Sequence, residues 1–264
     1  MTAVAIARAA AALLIGGSIT VRAQALPATG SIETAASASA VSDGYGNWSS
    51  AYARGFWQPD ARTILIPEIA VSRQFHDAGT LFALGAMHTI DDDWYAFASA
   101  STSAGGFYLP EFRGVALLDR KLLSDRRLVL NAGGSFAQWK DAHSDVGLSA
   151  GAIYYFGAPI VLEAGTNHNI SRPGNVGSQS YFAAVTEGRA GSHLLIARVS
   201  GGREAYAALS PGQAITNFSS HTGSLTLRQW VARGAGVVAG AEHYTNQFYH
   251  RTGVSLGGFW NIIE

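Results

Sequence analysis

Two short motifs in this sequence have the residue types of a hydrolase nucleophile. Both match Gly-x-Ser-x-Gly, with Ser149 at the centre of Gly147–Gly151 and Ser255 at the centre of Gly253–Gly257. In an α/β-hydrolase this motif forms a strained turn between a strand and a helix, which exposes the serine hydroxyl. Here each motif lies inside a segment of alternating residues, with no helical pattern after it. We therefore expect both serines to be ordinary strand residues, and an outer-membrane lipid-modifying hydrolase stays open as an alternative.

A serine nucleophile also needs a histidine base and an acid that orients the histidine. His221 and Ser224 are three residues apart in one predicted strand, so their side chains point to opposite faces. Asp91–Asp93 lacks the glycine and the alternating ligands of a calcium loop, which favours a solvated turn. The sequence predicts no catalytic residue, no metal site and no cofactor. Three other histidines lie near the ends of predicted strands, where they could meet in space: His168, His243 and His250.

The composition excludes several classes of protein. The chain has 264 residues, and only 14% of them are charged, against about 25% in an ordinary soluble domain. It has no cysteine, which excludes a disulfide scaffold. The formal net charge is zero, so no basic field indicates nucleic acid as a partner. Because 48% of the residues are hydrophobic, the chain can bury enough apolar surface to fold.

Residues 1–25 have the pattern of a secretory signal peptide. Arg8 supplies a positive charge, an apolar stretch follows over 9–21, and Ala23-Gln24-Ala25 fits the Ala-x-Ala cleavage pattern. The apolar stretch is shorter than the ~20 residues of a spanning helix, which disfavours a membrane anchor. We expect cleavage and export, which leave residues 26–264 as one domain.

The rest of the chain alternates with a period of two. For example, Leu128, Leu130 and Phe136 fall on one face of a segment, and Asn131 and Ser135 fall on the other. One apolar face and one polar or small face are typical of a half-buried strand. The pattern recurs fourteen times, near residues 31–41, 48–57, 62–75, 80–90, 93–102, 109–120, 126–138, 144–156, 159–170, 178–187, 192–203, 218–231, 235–245 and 250–262.

These segments predict an all-β fold, a transmembrane antiparallel up-and-down β-barrel of about fourteen strands. A range of 12–16 strands is compatible with the pattern, and the number must be even. Tight connections alternate with longer ones, and short turns at one end with long loops at the other are typical of outer-membrane barrels. A secreted soluble all-β binding module is the second alternative. The longer connections are predicted near 42–47, 104–109, 171–177 and 205–217.

Aromatic residues beside the tight connections predict a girdle at the bilayer interface. The last strand, Ser255–Ile262, has the spaced hydrophobic residues that the barrel assembly machinery reads, although the chain ends in Ile263-Glu264 rather than an aromatic residue. We therefore expect a bacterial outer-membrane location, with outer-membrane lipid and the assembly machinery as partners. The predicted girdle residues are Trp57, Trp94, Tyr154, Tyr155, Phe156, Trp230, Phe259 and Trp260.

Three segments carry a family resemblance: Glu68–Asp77 (EIAVSRQFHD), Asp93–Ser101 (DWYAFASAS) and Phe107–Arg113 (FYLPEFR). In these segments the chain resembles the YaiO-type outer-membrane β-barrel family, most strongly over residues 60–125. The resemblance implies an exported barrel. Members of the family sometimes accompany polysaccharide synthesis or export, which implies polysaccharide export components as partners. The resemblance supplies no catalytic residue.

Charged residues on the predicted inner face form the candidate site. An arginine that faces lipid near the bilayer centre costs about 2–4 kcal/mol, which favours inward placement. One interpretation is a paired network that braces the barrel, to which Glu111 and Arg113 are expected to belong; the other is a polar conduit for a solute. With aliphatic side chains placed outward, the residues that point inward are Glu33, Arg54, Glu68, Glu111, Arg113, Glu163, Arg198, Arg228 and Glu242.

The sequence thus predicts an outer-membrane barrel without catalytic activity. Either a passive, porin-like channel or a structural or export accessory linked to surface polysaccharide fits the pattern. The near balance of acidic and basic residues on the inner face predicts no strong ion preference.

Overall fold

The computed structural model describes residues 28–141, 143–156, 159–211 and 213–263. The predicted signal peptide lies outside the described residues. No helix in the described part of the chain is long and apolar enough to cross a membrane. The strands, in chain order, are β1 (Ala28–Val41), β2 (Trp48–Asp60), β3 (Thr63–Gln74), β4 (Asp77–Thr89), β5 (Trp94–Gly105), β6 (Pro110–Leu122), β7 (Leu128–Trp139), β8 (Ser144–Tyr155), β9 (Ile160–Arg172), β10 (Val176–Arg189), β11 (His193–Ser210), β12 (Gln213–Ala232), β13 (Ala235–Asn246) and β14 (His250–Ile263).

The strands form one closed antiparallel barrel. Each strand pairs with the next one in the chain, and β14 pairs with β1 to complete the ring. The closing register runs from Ala28 opposite Ile263 to Val41 opposite Arg251. Closure satisfies the backbone N–H and C=O groups that a free edge would expose to lipid. The predicted fold class is confirmed, and each of the fourteen predicted segments falls on a strand.

The two ends of the barrel differ in one projecting hairpin. We call the end that holds Ala28 and Ile263 the proximal end, and the opposite end the distal end. The predicted long connection at 205–217 is wrong, because β11 and β12 continue through it as a paired ladder and extend the distal rim. The two strands satisfy each other's backbone groups there, so the ladder continues although the alternation of side chains is weak. The remaining distal connections have two to six residues, against two to five at the proximal end, and the longest is the predicted one at 42–47.

The outer surface of the barrel is apolar. Leu148, on the outer face of β8, is 64% exposed, whereas its strand neighbour Ile153 on the inner face is fully buried. Exposed apolar side chains that alternate with buried ones are typical of strands that face lipid. Trp57, Phe156 and Trp260 are exposed near the proximal end and form part of a girdle.

Three of the predicted girdle residues are placed wrongly by the prediction, and one of them is Trp230, which packs inside the barrel against Phe259. Tyr155 and Phe259 are buried inside the barrel rather than exposed at the interface. Successive side chains in a strand point to opposite faces, so each must point away from its exposed neighbour, Phe156 or Trp260. The inward rings help to fill the lumen instead.

An apolar cluster fills the lumen toward the proximal end on the side of β3 to β9. We call this cluster the proximal core. Its side chains come from the inner faces of β3, β4, β5, β7 and β8 and pack against one another, so this side of the lumen is filled. Its buried members are Ile66, Met87, Tyr95, Phe97, Val129, Ile153 and Tyr155.

Candidate functional site

A cavity of about 430 Å³ lies inside the barrel on the side of β1–β3 and β11–β14. This volume falls in the range of small-molecule sites, which runs from about 300 to 1,000 Å³. The wall is made by inward-facing residues of these strands, where small side chains leave space in the lumen. Its hydroxyl groups come from Ser37, Ser39, Ser50, Ser72, Ser224, Thr226 and Ser255.

Two neighbouring ion pairs form the floor of the cavity, on its proximal side; the first lines the cavity and the second lies behind it. Arg54 Nε lies 2.5 Å from Glu68 Oε2, and both side chains are buried. Arg228 pairs with Glu33, which is only 1% exposed. Tyr52 donates a hydrogen bond from its hydroxyl to the other oxygen of Glu33, at 2.8 Å. The floor thus holds two carboxylates and two guanidinium groups, with a phenol that also binds one carboxylate.

Aromatic rings lie below this floor. The guanidinium carbon of Arg228 is 3.6 Å from the centroid of the Phe259 ring, and Phe259 is fully buried. Trp230 packs against the same ring with centroids 4.9 Å apart. Gly236 leaves the space that the Phe259 ring occupies, because a Cβ at this position would overlap it. Together with the proximal core, these side chains fill the lumen below the cavity.

A third ion pair lies in the wall of the cavity. Arg251 of β14 pairs with Glu242 of β13. The guanidinium of Arg251 is 5.0 Å from the ring centroid of Trp48, and nearby Tyr244 donates a hydrogen bond to Glu204 at 3.0 Å. Glu242 was predicted to point inward and Arg251 was not, although Arg251 shares the inner face of β14 with Ser255.

Aromatic side chains cover the distal side of the cavity. We call this group the aromatic cap and define it as Tyr45, Trp48, Phe75, Tyr108 and Tyr249. The ring centroids of Trp48 and Phe75 are 4.6 Å apart, and those of Tyr45 and Tyr249 are 5.5 Å apart. Tyr108 donates a hydrogen bond to the backbone carbonyl of Ser72 at 2.7 Å, which fixes the connection between β5 and β6 over the cavity. The buried Nε1 of Trp48 has no hydrogen-bond partner.

A second distal group, the distal polar cluster, consists of Trp139, Asp141, His143, Asp145 and Tyr206. His143 Nδ1 is 2.6 Å from Asp141 Oδ1, and its Nε2 is 3.8 Å from Asp145 Oδ2. The His143 ring lies between Trp139, with centroids 5.1 Å apart, and Tyr206, with centroids 3.8 Å apart. Tyr206 also donates a hydrogen bond to Asp141. The cluster therefore ties the connection between β7 and β8 to the projecting part of β11.

The charges of this cluster support one another. Burial acts to lower the pKa of His143, but hydrogen bonds with Asp145 and Asp141 outweigh it and raise the pKa above 6.5. Burial acts to raise the pKa of Asp141, but hydrogen bonds from Tyr206 and His143 outweigh it and lower the pKa below 3.8. The arrangement thus favours a protonated histidine between two carboxylates. Sequence reasoning missed His143, although Trp139, Asp141 and Asp145 lie within four residues of it and only Tyr206 is distant in the chain.

Arg113 and Glu111 occupy different environments. The charge of Arg113 interacts with Asp145 of the distal polar cluster, whereas Glu111 is exposed and its charge interacts with Lys140. The register between β6 and β7 shifts between Pro110 and Phe112, so Glu111 sits at a β-bulge. The structure therefore does not bring Glu111 into the buried network with Arg113.

The last two predicted inner-face charges lie away from the cavity. The charges of Arg198 on β11 and Glu163 on β9 interact. The guanidinium of Arg198 also lies 4.1 Å from the ring centroid of Phe182, on the strand between them. One of its buried nitrogen atoms, Nη1, has no hydrogen-bond partner.

The hydrolase motifs lie in continuous strands, with Ser149 in β8 and Ser255 in β14. Neither serine bonds to a histidine through its side chain in the described part of the chain. A Ser–His–carboxylate chain occurs elsewhere: Ser192 Oγ is 3.3 Å from His193 Nδ1, and His193 Nε2 is 3.1 Å from Glu187. These three hydrogen-bonded residues lie on an exposed proximal turn, outside the cavity. Three histidines considered in the sequence analysis are exposed side chains and do not line the cavity: His168, His243 and His250.

The aspartate run at 91–93 forms a turn. Asp91 accepts hydrogen bonds from the backbone N–H groups of Asp93 and Trp94, each at 2.8 Å. Arg126 pairs with both Asp92 and Asp93 on the surface. Among the described residues, no group of three or more histidines and acids is arranged to hold a metal ion.

Solved outer-membrane barrels share this fold. The CymD monoaromatic hydrocarbon channel aligns with 90% of this chain and 90% of its own, at a TM-score of 0.62 and 9% identity. A bacterial polysaccharide outer membrane secretin aligns with 90% of this chain and 100% of its own, at a TM-score of 0.57 and 9% identity. OmpT, an outer membrane protein of Vibrio cholerae, aligns over 88% of this chain and 98% of its own, at a TM-score of 0.51 and 10% identity.

At these identities the likeness shows the fold alone. A comparison with curated protein sequences finds no match. Residues 29–207, more than half of the chain, match the YaiO membrane beta barrel domain. This match and the barrel neighbours confirm the family and the outer-membrane location predicted from the sequence. The chain belongs to the YaiO membrane β-barrel family and is a protein of the bacterial outer membrane.

Proposed function

We propose that this protein is a non-catalytic channel of low conductance, which admits small solutes from the distal side into the lumenal cavity. The observation that carries the proposal is the cavity of about 430 Å³ between the aromatic cap and the charged floor. A barrel that serves only as a brace needs no such space, since side chains fill the lumen elsewhere. The projecting β11–β12 hairpin marks the distal end as extracellular, because outer-membrane barrels carry their longer connections there.

The floor and the proximal core account for the low conductance. Val129, Ile153 and Phe259 are fully buried on the inner face of the barrel. Apolar constrictions oppose the entry of water and ions into a pore. A solute that passes from the cavity to the periplasm must displace floor side chains first.

The placement of the nucleophile candidates supports a role without catalysis. The two serines of the Gly-x-Ser-x-Gly motifs lie in continuous strands. The hydrogen-bonded residues Ser192, His193 and Glu187 are exposed and do not face the cavity. A nucleophile needs a base in hydrogen-bond reach and a pocket for the substrate. The family assignment also contradicts the alternative of a secreted soluble binding module.

A second candidate is a structural or export accessory for surface polysaccharide. The β11–β12 hairpin favours it, because its paired strands extend the distal rim and offer a contact surface to polysaccharide export components. One barrel of the same fold is titled a polysaccharide secretin, and another is titled a hydrocarbon channel. The proposal takes from them only the general role of a conduit.

Conductance in planar bilayers tests the channel. Val129 and Ile153 lie opposite each other on the inner faces of β7 and β8, and the V129A/I153A variant shortens both inner side chains. We expect wild-type conductance far below that of open porins and a several-fold increase in this variant. The matched control is L130A/L148A, which changes exposed side chains on the same two strands and leaves conductance unchanged.

Folding of each variant is checked by heat-modifiable migration in detergent gels. If the wild type and the inner variant both fold and neither passes ions, the channel proposal fails and the accessory role gains support. If the outer control raises conductance as much as the inner variant, the conduction path does not run through this lumen.

A further inference from the structure

The arginines that line the cavity are each paired with a carboxylate. In the described part of its wall, Arg54 pairs with Glu68 and Arg251 pairs with Glu242. Glu204 accepts a hydrogen bond from Tyr244. No guanidinium of this wall is therefore left to bind the phosphate or carboxylate of an anionic solute, because each already serves a carboxylate. The cavity therefore disfavours an anionic ligand.

Hydroxyl groups give the wall its polar character. Ser37 Oγ and Ser50 Oγ are 2.7 Å apart across β1 and β2, and Ser72 Oγ is 3.0 Å from the Tyr108 hydroxyl. Each hydroxyl can both donate and accept hydrogen bonds. A hydrocarbon in the cavity would displace water from these groups without replacing its hydrogen bonds, which is unfavourable. The cavity suits a ligand that carries hydroxyl groups of its own.

Trp48 adds a donor that the protein does not satisfy. The side chain lines the cavity and is 7% exposed, and its buried Nε1 has no hydrogen-bond partner. An indole nitrogen can only donate, and a buried donor left without an acceptor costs free energy. An oxygen atom of a bound ligand supplies this acceptor once a small shift of the surrounding side chains exposes Nε1 to the cavity.

The rings around the cavity supply flat apolar surfaces beside these polar groups. Tyr52, Phe75 and Tyr249 line the cavity together with Trp48. A ligand that fits must therefore combine apolar faces with a hydroxylated edge and carry no negative charge. We infer that the cavity is a binding site for a neutral hexopyranose ring, either a free sugar or the end of a neutral oligosaccharide. The inference deepens the proposed function, since it names the solute class that enters the channel.

Titration of the full-length barrel in detergent tests the inference, with intrinsic tryptophan fluorescence and calorimetry as readouts. The probes are methyl hexopyranosides, the disaccharide maltose, glucose 1-phosphate and toluene. We expect saturable binding of a neutral hexoside with a Kd on the order of 1 mM, and weaker binding of the phosphorylated sugar and of toluene. Tighter binding of maltose than of the monosaccharides would identify an oligosaccharide end as the ligand.

Trp48→Phe keeps an aromatic ring at this position and removes the indole Nε1–H donor, so we expect hexoside binding about three- to tenfold weaker. Trp57→Phe is the matched control, because Trp57 is exposed on the outer face of the same strand. Ser37→Ala is a milder second variant that also weakens binding, should Trp48→Phe fail to fold. Absence of saturable hexoside binding, equal affinity in the folded Trp48→Phe protein, or tighter binding of toluene overturns the inference.

The conductance experiment separates this inference from the proposed function. Hexoside binding to a barrel that never conducts supports the sugar site and refutes the channel. Conduction without hexoside binding supports the channel and refutes the sugar site.

Discussion

Arg228 and Glu33 form an ion pair in the floor of the cavity, and Arg228→Met removes the charge while keeping an apolar stem. Glu33 then stays buried with the hydroxyl of Tyr52 as its donor, and Arg54 is left to serve two carboxylates, Glu33 and Glu68. Loss of one partner of a buried ion pair costs about 3–5 kcal/mol, because the remaining charge is uncompensated. The contact between Arg228 and Phe259 is lost as well.

This cost predicts a large shift in thermal stability. A change of 1 kcal/mol moves the melting temperature of a domain of 150–250 residues by roughly 2–4 °C, so we expect melting roughly 6–20 °C lower. The matched control is Arg126→Met, which breaks surface ion pairs in which the arginine side chain is 45% exposed. Such pairs contribute about 0–1 kcal/mol, so this variant melts close to the wild type.

Heat-modifiable migration in detergent gels, measured over a temperature series, gives the melting temperature of each variant. The double variant Glu33→Gln/Arg228→Met removes both charges and recovers most of the lost stability, since a neutral pair leaves no buried charge. The reasoning is refuted if Arg228→Met melts with the Arg126→Met control, or if the double variant is no more stable than the single one.

Three further predictions follow from the remaining sites. Because the pKa of His143 is raised, the protonated histidine stabilises the distal polar cluster fully below pH 6.5, and this stabilisation is lost as the pH rises through the raised pKa. We therefore expect the conductance to increase on the alkaline side of that pKa. His143→Gln should abolish this pH dependence of the conductance. Arg113→Ala should lower the melting temperature and widen the conductance, because its charge interacts with Asp145; unchanged stability with altered solute selectivity would instead make Arg113 part of the pore lining. Ser149→Ala and Ser255→Ala should leave any lipid-hydrolysing activity of the purified barrel unchanged, and loss of such activity in a folded variant would restore the hydrolase alternative.

The strand pattern could be predicted from the sequence because it is local. Inner and outer residues alternate along each strand, so Leu148 and its neighbours identify the lipid face without knowledge of other strands. The same rule could have placed Tyr155 and Phe259 inside the barrel. It failed at Glu111, since a β-bulge adds one residue and changes the face that follows from simple alternation.

Partners in the candidate site could not be predicted in the same way. Glu33 on β1 pairs with Arg228 on β12, and this choice depends on barrel closure and on the width of the lumen. His143 meets Tyr206 only because the β11–β12 hairpin continues past the rim, where the sequence pattern predicts a loop. The contacts are therefore products of register and curvature, which residue spacing within one strand does not encode.

The composition of the floor bears on how a closed lumen could pass a solute. A buried ion pair adds little stability over an apolar pair of similar volume, so stability alone does not explain charges at this depth. Glu33 lies opposite Arg54 in the register of β1 and β2, while its ion pair is with Arg228. The guanidinium groups of Arg54 and Arg228 can thus pair with the Glu33 carboxylate in turn. Glu33 can change its ion-pair partner in this way without becoming an unpaired buried charge. An apolar floor packed like the proximal core would lose van der Waals contacts when its side chains moved apart, because the void between them contains no atoms that could replace those contacts.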